Sequence, residues 1–191
     1  MNGVSEPVKN LKLCQAFLGH NPVITDCTEE IADTEFYIED SQEIGYTVKV
    51  QQPTQDKICK VFNPSQDTAI LLPIDNRFIK NNVNGIADAA VFNTKDFHFV
   101  EFKTNAEGNS DYAVAETYKK AMEQLKETLN LFESKINAIK VDFRKQVNVE
   151  CNFIVSETFP RNKSAEMSNA ILFAQQTSGI PLGFDNEIEL R

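Results

Sequence analysis

The chain of 191 residues has no tryptophan and only two histidines, His20 and His98. This scarcity removes whole mechanisms, because nucleases with a histidine general base and Ser-His-Asp hydrolases each need a well-placed imidazole. Its four cysteines, Cys14, Cys27, Cys59 and Cys151, are widely scattered with no CxxC pair. With so little histidine beside them they do not read as a zinc site, and reduced thiols are expected. No stretch approaches the roughly 20 apolar residues that cross a bilayer. The start, Met1 to His20, lacks the basic-then-apolar pattern of a signal peptide, so a cytoplasmic location and no membrane partner are expected. A glycine-rich phosphate loop and a nucleophile motif are also missing, which leaves a small-molecule hydrolase as a distant alternative.

Positive charge is missing from one region. Between Leu13 and Val48 there is no Lys or Arg, while Asp26, Glu29, Glu30, Asp33, Glu35, Glu39, Asp40 and Glu43 carry nearly all of the net charge of −9. The acidity therefore belongs to one lobe, and a nucleic-acid ligand elsewhere is not excluded by the total.

What is present is enough for a full core: 41% of residues are hydrophobic and 25% charged, and one domain over residues 1–191 is expected. Asp26 followed by Glu29 has the spacing of a capping box, and Ile31, Phe36 and Ile38 supply part of an apolar face, so a helix is expected over 26–40. Strands are expected over Ile44–Val50, Lys57–Phe62 and Asp67–Ile74. Gly85–Thr104 reads as a hairpin: Ile86–Phe92, a turn at Asn93-Thr94-Lys95-Asp96, then Phe97–Thr104. Both of its arms are apolar on both faces, as in a sheet covered from both sides. After a polar loop, Asn105–Ser110, Tyr118, Met122, Leu125, Leu129, Phe132 and Ile136 recur at helical spacing. A strand over Val147–Val155, a loop at Pro160–Lys163, a helix over Ser164–Gln176 and an edge strand at Ile188–Leu190 complete an α/β fold, a mixed central sheet flanked by helices.

A turn centred between Thr94 and Lys95 sets Asp88 directly opposite Glu101, and Lys103 shares the face of Glu101. Two opposed carboxylates in an apolar hairpin repel each other and lose hydration, so something must offset the cost. A divalent cation does so, and a nearby lysine can orient or deprotonate a water, which together make a phosphodiester-hydrolysis kit. The structural alternative is a buried Asp/Glu/Lys cluster serving the fold alone. The same tripeptide pattern in Glu133-Ser134-Lys135 falls within the expected helix and is read as surface charge.

An Asp on one strand, Glu101-Phe102-Lys103 on the next and a long helix after them resemble the PD-(D/E)xK nuclease superfamily, with its restriction-endonuclease-like fold. The resemblance covers Asp67 to Val155. It implies a nuclease, with Asp88 and Glu101 as ligands of Mg²⁺ or Mn²⁺, Lys103 as catalytic lysine and Gln124 as the glutamine many members carry on the following helix. Thr128 stands where the Gln-xxx-Tyr variant has its Tyr, and Ala87 stands where Pro precedes the Asp. An acidic ligand from an earlier helix is often added, for which Glu29, Glu30 and Glu35 are the candidates. Asp75, after Pro73-Ile74, is a rival motif aspartate but reads as a turn residue, and His98, on the parity opposite Glu101, reads as packed.

DNA is the expected substrate, and Lys119, Lys120, Lys140, Arg144, Lys145, Arg161 and Lys163 are candidates to follow its backbone. Tyr112 and Tyr118 are candidates to stack on bases, the second more readily assigned to helix packing. The competing reading is a catalytically inactive protein of this fold that binds a protein partner or inhibits one through its acidic lobe. A homodimer is a family expectation.

Overall fold

The computed structural model describes residues 4–52, 58–80, 85–104, 106 and 110–191. The expected strand start at Lys57, and Asn105 with residues 107–109 of the polar loop, lie outside these. Two short helices, α1 (Glu6–Asn10) and α2 (Leu13–Ala16), precede β1 (Glu29–Ile31), β2 (Glu35–Ser41), β3 (Tyr46–Val50), β4 (Ile58–Phe62), β5 (Ala69–Pro73), β6 (Ala89–Phe92) and β7 (Asp96–Phe102). Then come α3 (Asp111–Ala138), α4 (Phe143–Gln146), β8 (Asn148–Ile154), α5 (Lys163–Gln176), β9 (Leu182–Gly183) and β10 (Glu187–Glu189).

The strands form a six-stranded sheet in the order β1-β5-β6-β7-β8-β9 and a four-stranded sheet in the order β10-β4-β2-β3. In the larger sheet β5, β6 and β7 run antiparallel, and α3 then carries the chain across so that β8 pairs parallel to β7. Alternation sends Ala90, Phe92, Phe97 and Phe99 to one face, where they pack with Leu125, Leu129 and Phe132 of α3. Ala89, Val91, Val100 and Phe102 go to the other, against Phe36, Ile38, Cys59 and Val61 of the smaller sheet. The doubly apolar hairpin arms follow from this: each face needs a cover. One cover is helical. The other is a second sheet, so the expected mixed α/β architecture holds, with two mixed sheets rather than one central sheet flanked by helices.

The expected helix over 26–40 is also overturned. Ile24–Asp26 is one turn of 3₁₀ helix, and β1 and β2 follow. Phe36 and Ile38 are buried while Glu35 is exposed and Tyr37 and Glu39 are partly so, a period of two rather than a helical stripe. The spacing of Asp26 and Glu29 imitates a cap, but Phe36 and Ile38 have a sheet to cover, and that burial prevails over the local signal. The acidic segment is thus a 3₁₀ turn, β1, and β2 with its turn into β3; Lys49 of β3 pairs with Asp33, and Lys60 of β4 with Glu35 at 2.9 Å.

The remaining strands and helices fall close to their expected positions, and Ile188 lies on a strand at the edge of the smaller sheet, parallel to β4. Cys27, Cys59 and Cys151 are buried, and all four cysteines are free thiols. Among the described residues no helix is long and apolar enough to cross a membrane.

Candidate active site

The hairpin turn fixes the register on which the site depends. Asn93 Oδ1 accepts from the backbone N–H of both Lys95 and Asp96, at 2.8 Å each. Buried Asp96 in turn accepts from Asn148 Nδ2 at 3.0 Å and from the Arg191 N–H at 2.7 Å. Pairing then runs from Phe92 opposite Phe97 to Ala89 opposite Val100. One step further along this ladder, Asp88 comes opposite Glu101, and Asp88 Oδ2 accepts from the Phe102 N–H at 2.6 Å.

Glu101 is fully buried. Its Oε1 accepts from Lys103 Nζ, and the same ammonium donates to Gln124 Oε1 at 2.7 Å. Gln124 is itself held, because its Nε2 donates to the Ile86 carbonyl at 3.2 Å. Gly85 lies beneath it with φ +73, and a Cβ there would meet Gln124 Cγ at 3.1 Å, so both the backbone turn and the glutamine require glycine. Thr128, where the resemblance would have a tyrosine, accepts from the Ala87 N–H at 2.7 Å and donates to the Gln124 carbonyl at 2.8 Å. Helix α3 thus clamps the segment that delivers Asp88. A Thr128→Val exchange keeps the volume and leaves the Ala87 N–H buried without a partner. It should cost about 1–3 kcal/mol, read as a lower denaturant midpoint.

The electrostatics are those of carboxylates deprived of water. Burial pushes the Asp88 carboxyl up to about 7, with Asp40 and Asp75 adding to the rise and the Phe102 N–H and Lys103 opposing it. Glu101 is raised well above the ordinary carboxylate range by burial, then by Asp88, with Lys103 pulling the other way. Its Oε2 is buried and has no hydrogen-bond partner among the described residues. Asp40 and Asp75 are also raised, chiefly by burial. Asp75 does sit in a turn, as expected, but its backbone N–H donates to the Asp88 carbonyl at 3.2 Å, which ties that turn to the site.

Asp40, whose charge adds to the rise at Asp88, was not anticipated from the sequence. It was legible from parity: once 35–41 is a strand, Asp40 shares the inward face of Phe36 and Ile38. The acids proposed from an earlier helix do not join the site. Glu29 and Glu30 are exposed on β1, and Glu35 is an exposed residue on β2 paired with Lys60. His98 is buried and packed on the other parity, 3.1 Å from Asn152 Nδ2.

Of the basic candidates, Arg144 pairs with Glu133, Lys145 with Asp142 and Arg161 with Glu166, while Lys119, Lys120 and Lys163 are exposed. Tyr112 is exposed; Tyr118 is buried against Phe153, Phe159 and Phe184.

Among the described residues no three His, Cys, Asp or Glu side chains converge tightly enough to enclose a metal ion unaided. Two opposed carboxylates remain, the number with which Mg²⁺ is commonly held while water and phosphate fill its other positions. The orphaned Oε2 of Glu101 and the all-oxygen donors suit a hard cation. Comparison with protein families, with curated proteins and with solved structures finds no match to this chain.

Proposed function

We propose that this protein is a divalent-cation-dependent nuclease of the PD-(D/E)xK superfamily with a restriction-endonuclease-like core, hydrolysing phosphodiester bonds, in DNA by preference. The observation that carries this reading is the buried Glu101 opposite Asp88, with Lys103 bridging Glu101 and Gln124. Chain order supports it: an Asp leading into one strand, Glu-Phe-Lys on the next, then a long helix bearing the glutamine.

Asp88 and Glu101 would hold Mg²⁺ or Mn²⁺. The chemistry such an ion supplies is a more acidic bound water and neutralisation of charge on the phosphate. Lys103 has three N–H donors, two of them engaged by Glu101 and Gln124. The third can orient the attacking water or a non-bridging phosphate oxygen, with the ammonium held still by its two acceptors. Asp88 keeps some exposure while Glu101 has none, so substrate approaches from the Asp88 side.

The test is cleavage of plasmid and single-stranded DNA with Mg²⁺ or Mn²⁺. Lys103→Ala should lose roughly 10²–10³-fold in rate, the scale for removing one charge-stabilising donor. Equal cleavage by wild type and variant would remove the assignment.

A further inference from the structure

A crevice of about 190 Å³ opens where β3 meets the end of β5, lined among others by Asp26, Glu29, Tyr46, Thr47, Pro73 and Arg77. It adjoins the carboxylate site through two connections. Thr47 is the cross-strand partner of Asp40, and Pro73 and Arg77 flank Asp75 two residues to either side.

Two features there are unexplained by folding. Thr47 is 1% exposed, yet its Oγ1 is buried with no hydrogen-bond partner among the described residues. A hydroxyl in that state costs free energy unless something fills its valence. Arg77 lies in the most acidic part of the chain without a carboxylate partner among the described residues. Its guanidinium sits 5.4 Å from the Tyr46 ring centroid and donates from Nη2 to the Asp26 carbonyl at 3.1 Å. The crevice thus brings together a guanidinium over a phenol ring, a buried hydroxyl and the exposed carboxylates of Asp26 and Glu29.

Those carboxylates disfavour a phosphate and favour a ligand that offers N–H groups. A guanidinium plane and an aromatic ring are surfaces on which unstacked bases lie. Carboxylates accept from exocyclic amino groups such as that of cytosine, and a threonine hydroxyl can complete the edge as donor or acceptor. Given the nuclease reading, on which this rests, we infer that the crevice seats one unpaired nucleobase bearing an amino group, next to the bond that is cut. The preferred substrate then has a single-stranded or extruded nucleotide at that position, and thymine is the poorest occupant.

The experiment has two arms on the full chain. In the first, oligonucleotides with an unpaired stretch and one position varied through all four bases are cleaved with Mn²⁺. Wild type should discriminate against thymine at one fixed distance from the cut by about tenfold. Thr47→Val and Arg77→Ala should flatten that preference while still cutting. In the second, cytidine and thymidine are titrated without metal and the Tyr46 and Thr47 signals are followed by NMR. Cytidine alone should shift them, and the shifts should vanish in Thr47→Val, a volume-matched change that keeps the fold. Cleavage without base preference, or with a preference that survives both variants, overturns the inference and leaves the nuclease reading standing. Cytidine binding at these residues with no cleavage of any substrate keeps the pocket and removes the nuclease. Silence in both arms removes both.

Discussion

Glu101→Gln should abolish cleavage and, in EDTA at pH 8, melt at a higher temperature than wild type. The exchange keeps the shape and removes a charge that the fold has stripped of water. Because the folded pKa of Glu101 lies above its unfolded value of 4.5, the native state favours the protonated acid. The stability from that proton is complete below pH 4.5 and is lost as pH rises through the folded pKa. The advantage of the variant is therefore absent in acid and grows with pH. Lys103, partly exposed and still bonded to Gln124, is not left as a buried unpaired charge. Each tenfold weakening of the Glu101 acid by burial is worth about 1.4 kcal/mol to a neutral side chain at pH 8. At roughly 2–4 °C per kcal/mol for a chain of this size, differential scanning calorimetry resolves it. Added Mn²⁺ should raise the wild-type melting temperature, by the equivalent of about 2.7 kcal/mol at a hundred times its dissociation constant, and leave the variant unmoved. A variant that melts lower than wild type at pH 8 would mean that Glu101 serves the fold, through Lys103, rather than a cation.

His98 should show the opposite dependence. Burial lowers its pKa to about 4 from 6.5, so the unfolded chain takes up a proton between those values while the folded one does not. Stability falls as pH drops from 6.5 towards 4, by up to about 3 kcal/mol. Asp88, raised to about 7 from 3.8, pulls the other way across much of the same window, so the wild-type curve alone mixes the two. The difference between wild type and His98→Gln isolates the histidine. Relative to the parent, the variant should gain in denaturant midpoint at pH 4.5 compared with pH 7. An unchanged pH dependence would place the imidazole in water rather than against Asn152.

The hairpin register was legible because its determinants are local: a turn of Asn93, Thr94, Lys95 and Asp96 between two apolar arms admits few pairings, and one of them opposes Asp88 to Glu101. Gln124 was reached only through the family resemblance; the apolar stripe from Tyr118 to Ile136 made legible the helix itself and the face of α3 that meets the sheet. The misread segment was 26–40, where a cap-like pair of acids outweighed the alternation of Phe36 and Ile38. That error concealed the second sheet, and with it the inward face on which Asp40 sits. Asp75 was placed in its turn, but nothing near it in sequence says that the turn borders Asp88. The crevice at Thr47 depends on three segments brought together only by the complete fold.

The proposed centre takes Asp88, Glu101, Lys103 and Gln124 from two neighbouring strands or their ends and one helix, while Asp40 and Asp75, whose charges bear on Asp88, come from two further strands or their ends. Asp40 and Gln124 lie on the smaller sheet and on α3, the two layers that cover the larger sheet, so both covers are needed to complete the surroundings of Asp88. Under the proposed nuclease reading, a chain that has closed only one of these layers would lack part of that set and should not cut nucleic acid.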